Sequence, residues 1–285
     1  MEDHRVLRGR DTRLRILDAV KADIAKEPKV GRIVSIMIGD TAEVAVYIRG
    51  QARAADTVGI QFDEQVWDAD IMQEECKKRI QAMNDDADVL GIILQRPVPD
   101  HINVRSLQSA IHPLKDIEGM NPASIGNIVY NDVALAPCTA AAAVELIHAT
   151  GLNMAGLEIV MIGHPEIVGK PIAMVLMADG ATVTVCHHMT RSVAKHSRRA
   201  DVVVVAVGRA HLVGKDMIKP GAAVIDVGIN QTEDGIVGDV DTDAVVDIAG
   251  WVTPVPGGVG PVTTAILMRN AMVALKRQKA AGLWG

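Results

Sequence analysis

The sequence predicts an α/β protein of two domains, an N-terminal βαβ-type domain followed by one with a longer parallel sheet. Three observations predict it. Short continuous apolar runs, the pattern of strands covered on both faces, alternate with segments of helical periodicity. A length of 285 residues suits one large domain or two of ordinary size. Hydrophobic residues make up 49% and aromatics only 2%, so the core is Ala, Val, Ile, Leu and Met, as where helices pack on parallel sheet.

The elements follow in order. Leu14, Ile16, Leu17, Val20 and Ile24 fall at helical spacing, and the pattern stops near Lys26-Glu27-Pro28. Residues 33–38 form a strand closed by Gly39-Asp40-Thr41, and a helix is expected over 42–57. Gly59-Ile60-Gln61-Phe62 reads as a second short strand. A charged amphipathic helix over 71–83 ends at the turn Asn84-Asp85-Asp86. Residues 89–94 are a third strand, stopped by Gln95-Arg96-Pro97-Val98-Pro99, and 102–110 read as helix. Residues 112–126 read as a loop that holds the domain boundary. A helix over 139–149 has Thr139 as its N-cap. Strands at 158–162, 182–186, 202–206 and 223–227 then alternate with helices, as in a Rossmann-like sheet. Residues 250–253 are a last strand, 254–261 a turn-rich loop, and 262–278 a closing helix.

Composition excludes several classes of function. A net charge of -6 gives no support to a nucleic-acid surface. No run approaches the roughly 18 apolar residues of a membrane span. Met1-Glu2-Asp3-His4-Arg5 is polar, without a signal-peptide core. Cys76, Cys138 and Cys186 are far apart and odd in number, which points to reduced thiols in a cytoplasmic protein. No C-x-x-C suggests zinc, and no metal is expected.

The strand at 158–162 runs into Gly163-His164-Pro165-Glu166-Ile167-Val168-Gly169-Lys170-Pro171 and then a helical pattern. A strand, a glycine turn and a helix N-terminus make a pocket for phosphate, because the free N–H groups of the first turn and the helix dipole both favour an anion. The spacing is neither G-x-G-x-x-G nor a P-loop: five residues separate the glycines, and Pro171 follows the lysine. An ordinary βα turn explains the segment equally well. Tyr47 and Gln51 lie four apart on one helix and share a face. Gln95 ends a strand at its carboxyl edge, where α/β sheets place ligand contacts. Glu118 sits in a polar loop before the domain boundary. Each has an ordinary alternative: Tyr47 in the core, Gln51 solvated, Gln95 capping a strand, Glu118 a surface acid. Gly257-Gly258-Val259-Gly260-Pro261 is unlike surface filler and points to close approach of backbone to a ligand.

Together these segments resemble the bifunctional methylenetetrahydrofolate dehydrogenase/methenyltetrahydrofolate cyclohydrolase family, over nearly the whole length from about Leu7. The family's Y-x-x-x-K falls on Tyr47 to Gln51, its Q-x-P-x-P on Gln95 to Pro99, and its K-D-x-D-G on Lys115 to Gly119. Its P-C-T is Pro137-Cys138-Thr139, and its G-R-S-x-x-V-G-x-P cofactor loop is Gly163 to Pro171. Asp226-Val227-Gly228-Ile229-Asn230, Gly238-Asp239-Val240-Asp241 and the Pro254 to Pro261 loop also fit. The resemblance implies a folate-binding domain of residues 1–118 plus 264–285 and a Rossmann-like NAD(P)-binding domain of 119–263, with a cleft between them. It implies a homodimer, NADP or NAD as cofactor and a tetrahydrofolate substrate.

By the same resemblance the candidate catalytic residues are Tyr47, Gln51, Gln95 and Glu118. Tyr47 would stack on the aminobenzoyl ring, and Glu118 would accept hydrogen bonds from the pterin. Gly258, Gly260 and Pro261 would join Tyr47, Gln95 and Glu118 around the substrate. Gly163, His164, Pro165, Val168, Gly169, His188, Thr190 and Ile229 would hold the cofactor.

The departures from the pattern fall on these positions. Gln51 replaces the family's lysine, Glu118 its aspartate, His164-Pro165 an Arg-Ser pair, His188 a serine, and Ser124 an asparagine. Scaffold motifs are retained while the site changes, the pattern of a specialised paralogue. The expected activity is oxidation of 5,10-methylenetetrahydrofolate by NAD(P)+ with the cyclohydrolase step lost, since a glutamine amide does not titrate usefully. A fully bifunctional enzyme and a non-catalytic folate- or nucleotide-binding paralogue stand as alternatives. With its arginine gone, the chain is expected to prefer NADP less strongly and to accept NAD.

Overall fold

The computed structural model describes residues 4–39, 42–233 and 235–284, with backbone alone at 42 and 43. Asp40 and Thr41 of the turn expected after the first strand lie outside these residues, as do Met1, Glu2 and Asp3. The chain divides into two compact units: Arg15–Cys138 with Thr264–Gly285, and Met1–Leu14 with Thr139–Thr263.

The first unit takes its elements from α1 (Gly9–Ile24), β1 (Arg32–Ile38), α2 (Ala42–Val58), β2 (Gln61–Trp67), α3 (Gln73–Asp85), β3 (Val89–Leu94), α4 (Val104–Ala110) and α5 (Pro122–Val129). Its sheet is parallel, in the order β2-β1-β3. Burial of every β1 residue from Ile33 to Ile38, and of all of β3, explains why both read as unbroken apolar runs. The edge strand β2 is longer than expected. It continues through Asp63, Glu64 and Gln65, in register with β1 from Arg32↔Gln61 to Ile38↔Trp67. An edge strand with one row of neighbours keeps polar residues that mask its period.

Residues 122–126, expected as loop, belong to the helix α5. Asn121 caps it by accepting the Ala123 N–H at 2.7 Å, and Pro122 supplies the preset φ of a first turn. The Asn121 Nδ2 also donates to the Gln108 and Ile111 carbonyls at 3.2 and 2.8 Å. Such bonds group residues 119–138 with the first half of the chain, where the sequence reading had put them with the second.

The second unit contains most of α6 (Cys138–Ala149), then β4 (Glu158–Ile162), α7 (Gly169–Ala178), β5 (Thr182–Cys186), α8 (Val193–Ser197), β6 (Val202–Val205), β7 (Ala223–Asp226), β8 (Asn230–Thr232), β9 (Gly235–Val237), α9 (Thr242–Val245) and β10 (Trp251–Val252). Because α6 starts at Cys138, Thr139 lies in its first turn and is not the N-cap. The sheet is parallel, ordered β10-β7-β6-β4-β5. β8 and β9 form a small antiparallel hairpin absent from the sequence reading. The Leu7 N–H donates to Val252 O and the Val252 N–H to Arg5 O, both at 2.8 Å. That pairing is why the first residues belong here and not with 15–118.

α10 (Val259–Ala280) closes the chain. It starts earlier than expected, so Gly260 and Pro261 lie in its first turn and only 254–258 form the loop. Its Asn270 Nδ2 donates to Ile117 O at 3.0 Å, and its Gln278 Nε2 to Leu90 O at 2.7 Å. Cys76, Cys138 and Cys186 are free and buried. Among the described residues no helix is long and apolar enough to cross a membrane.

Candidate active site

In the first unit, three polar side chains from separate elements meet at the carboxyl edge of the sheet. Gln95 follows β3 directly, and its backbone N–H is tied to Ile36 O on β1 at 2.9 Å. Its side-chain Nε2 donates to Ser35 Oγ at 3.0 Å and to Gln51 Oε1 at 2.7 Å. Ser35 is fully buried in the middle of β1, the one polar side chain between Ile33 and Ile38. Gln51 is half-buried on α2. Tyr47, one turn earlier, is 60% exposed, so its ring is not part of the core.

Glu118 arrives from the loop before α5. The Leu94 N–H, next to Gln95, donates to its Oε2 at 3.0 Å. Burial pushes its carboxyl up to about 7; the Leu94 N–H opposes the rise and the charge of Asp116 adds to it. Asp116 is itself buried and raised by desolvation, while the Met120 and Asn121 N–H groups and the Ser124 hydroxyl donate to it. Ser124 therefore steadies the loop that presents Glu118. Gln51, Gln95 and Glu118 are thus brought to one edge, and Tyr47 lies on the same helix face as Gln51.

Gly258, Gly260 and Pro261 belong to the second unit. There Gly258 has an internal use, since its own Cβ would press on the Pro254 carbonyl, whereas a Cβ on Gly260 would meet nothing. A Cβ on Gly9 would collide with the Gly258 carbonyl, and the Gly9 N–H donates to Gly257 O at 2.9 Å.

The second unit holds a cavity of about 700 Å³ at the carboxyl ends of β4, β5 and β6. Gly163, His164, Pro165 and Val168 line one side of it, and His188, Thr190 and Ile229 also line it. Gly169 does not. It opens α7 against the β4 turn, where an added Cβ would strike Gly163 O. Gly163 itself has φ +90°, and its Cβ would strike the Ala206 carbonyl, so only glycine fits. No side chain caps α7, yet its first turn is largely occupied: the Lys170 N–H donates to Pro165 O at 3.2 Å, the Ile172 N–H to Val168 O at 3.0 Å, and Pro171 has no N–H. The free N–H groups expected at this helix start thus reduce to that of Gly169, and it is the cavity's size and its place at the strand ends that fit a dinucleotide. His187 joins His164 at 4.8 Å between ring centroids and His188 at 5.8 Å, making a row of three imidazoles. Its Nδ1 accepts the Met189 N–H at 3.2 Å, which leaves Nε2 to carry the proton of the neutral ring.

Two buried acids shape the opposite wall, and sequence reasoning had noted them only as motif matches. Asp239 accepts the N–H groups of Val207, Gly208 and Arg209 at 2.6, 2.9 and 2.8 Å, and Asn230 Nδ2 at 2.9 Å. Those three amides face the carboxylate and are not available to an anion. Asp226 accepts from Gly228, Asp239 and Val240 at 2.9, 3.1 and 2.8 Å, and burial pushes its carboxyl up to about 6. Cβ atoms on Gly228 and Gly238 would collide with these two carboxyls. Arg209, also missed, is exposed and lines the cavity.

Two family models match successive parts of the chain. Residues 7–118 match the catalytic domain of tetrahydrofolate dehydrogenase/cyclohydrolase, and residues 137–279 match its NAD(P)-binding domain. The chain belongs to the tetrahydrofolate dehydrogenase/cyclohydrolase family. Among family members it is 74% identical to Bifunctional protein FolD 3 of Roseobacter denitrificans, across 99% of both chains. It superimposes on the FolD crystal structure from Campylobacter jejuni with a TM-score of 0.92 at 34% identity, covering 96% of this chain and 99% of that one. A Trypanosoma brucei FolD complexed with NADP cofactor and inhibitor matches with a TM-score of 0.90 at 32% identity, covering 98% and 99%. The cavity beside the glycine turn thus lies in the family's NAD(P)-binding domain, and the amide cluster around Gln95 in its catalytic domain.

Proposed function

We propose that the protein oxidises 5,10-methylenetetrahydrofolate to 5,10-methenyltetrahydrofolate with NAD(P)+ and has lost the cyclohydrolase step. The observation that carries the second half is the contact between two neutral amides, Gln51 and Gln95, at 2.7 Å. In this reading the unit of 15–138 and 264–285 binds the folate, and the unit of 1–14 and 139–263 holds the cofactor. The chain is further read as a cytoplasmic homodimer.

The cofactor, when bound, supplies the hydride acceptor. The methylene carbon loses a hydride while its flanking nitrogens lend electrons, giving an amidinium-like cation, and no proton needs a base. What the chain supplies is position. The exposed Tyr47 ring gives a stacking surface for the aminobenzoyl group. Glu118, once ionised, accepts N–H groups of the pterin. Accumulation of methenyltetrahydrofolate in step with NAD(P)H, then its decay at the spontaneous rate only, is the expected course of the assay. Absence of any methenyl product would overturn the reading.

Glu118 carries a separate expectation. Glu118→Ala should raise the folate KM about ten- to a hundredfold, the loss of a charge-assisted hydrogen bond, and leave the cofactor KM nearly unchanged. Since its carboxyl is held at about 7, the group is neutral below that pH and becomes an acceptor above it. kcat/KM for the folate should therefore climb with pH through about 7, and Glu118→Gln should flatten that limb. Equal loss of folate and cofactor binding would make Glu118 structural.

Cofactor choice follows from the row of imidazoles. NADP+ affinity should fall in His164→Ala and His188→Ala, with NAD+ affinity level. An unchanged NADP+ KM in both variants would remove the histidines from 2′-phosphate recognition.

A further inference from the structure

Ser35 is an unusual residue for its place. It occupies the central strand of the first unit, is fully buried, and has only apolar side chains before and after it from Ile33 to Ile38. A hydroxyl there is costly unless it is used. Its partner is Gln95, sixty positions later, and the same Nε2 that donates to Ser35 Oγ donates to Gln51 Oε1. Gln95 is held from two sides, through its backbone bond to Ile36 O and through Ser35. Both hydrogens of its amide are then committed. Gln51 spends its oxygen on that bond, and its Nε2 has no partner among the described residues.

We infer that Ser35 is a positioning residue for the reaction: it holds the Gln95 amide, which captures the oxygen of Gln51 and turns the Gln51 NH2 toward the substrate. Gln51 then meets the folate as a neutral hydrogen-bond donor aimed at a lone pair, such as a ring carbonyl oxygen. It neither takes nor gives a proton, and it places no full charge beside the cationic methenyl product. The inference rests on the folate site proposed above.

Three variants test it, with kcat/KM for methylenetetrahydrofolate as the readout. Gln51→Met removes the amide and is expected to lower kcat/KM about tenfold or more. Gln51→Glu keeps an oxygen for Gln95 but has no outward donor while ionised. Its kcat/KM relative to wild type should be low at about pH 8 and rise toward about pH 6 as the carboxyl takes up a proton. Taking the ratio to wild type removes the limb that belongs to Glu118, the other acid beside Gln95. Ser35→Ala should lower kcat/KM about five- to tenfold in the wild-type background and have little effect in Gln51→Met, because its influence passes through Gln51. If Gln51→Met is impaired but Gln51→Glu matches wild type at every pH, the outward group is an acceptor and the inference fails. If Ser35→Ala costs the same in both backgrounds, Ser35 is merely structural and the inference fails. If none of the variants alters folate kinetics, the folate-site reading itself is wrong. Gln51 is half-buried on a helix face, so its variants keep the question open to test even where Ser35→Ala folds poorly.

Discussion

Gln51→Lys is expected to install hydrolysis of methenyltetrahydrofolate at about 10²–10⁴ times the rate of the wild-type protein, the usual worth of a general acid–base group. Water must add to the bridging carbon, and protons must move as a C–N bond breaks. A lysine serves because desolvation brings its pKa toward neutrality, whereas an amide has no such equilibrium. The site is ready for the exchange. Gln95 lies 2.7 Å from residue 51, and the Ser35 hydroxyl that anchors it both donates and accepts. The Gln95 amide can therefore turn its oxygen to an incoming ammonium without leaving Ser35 unpaired. Arg49 and Arg53 do not substitute, since a guanidinium stays protonated and both lie two positions from Gln51, off its face. The measurement is loss of methenyl absorbance above the spontaneous rate. Vigorous hydrolysis by wild type would sink the proposed loss of function.

Asp239→Ala is expected to destabilise the protein by about 3–4 kcal/mol and to abolish tight cofactor binding. The carboxylate is fully buried and accepts three successive backbone N–H groups and one side-chain amide. Truncation leaves all four donors without their acceptor, and the 207–209 turn loses what folds it. Asp239→Asn, of nearly equal size, should fall between, since its NH2 would face donors. Urea midpoints and cofactor KM measured together distinguish a lost brace from a lost ligand contact. A shift under about 1 kcal/mol in the alanine variant would show that the turn holds its shape unaided.

How much of this could be read from sequence depended on whether a signal was local. β3 and β6 are buried on every residue, so Val89–Leu94 and Val202–Val205 announced themselves as apolar runs. β2 lost its second half because Asp63, Glu64 and Gln65 belong to an edge strand. α5 was hidden because Asn121-Pro122, a sound helix start, was read as a loop signal. The site behaved likewise. Tyr47 and Gln51 share a helix face at a spacing visible in one dimension. Ser35 looked like a stray polar residue in a strand, because its partner is sixty positions away. Asp239 matched a motif, but its three amides come from about thirty residues earlier. Periodicity reports which face is buried, not which distant atom lies across the sheet.

The pairing of Arg5 and Leu7 with Val252 bears on how such a chain is made. A ribosome delivers residues 4–14 first, yet their partners emerge some 240 residues later. The first sheet waits as well, because Gln278 must reach the Leu90 carbonyl. Each sheet is completed by a segment far away along the chain. Neither is complete until that segment has been made, so during synthesis the chain depends on whatever shields its open sheets until Val252 and α10 emerge.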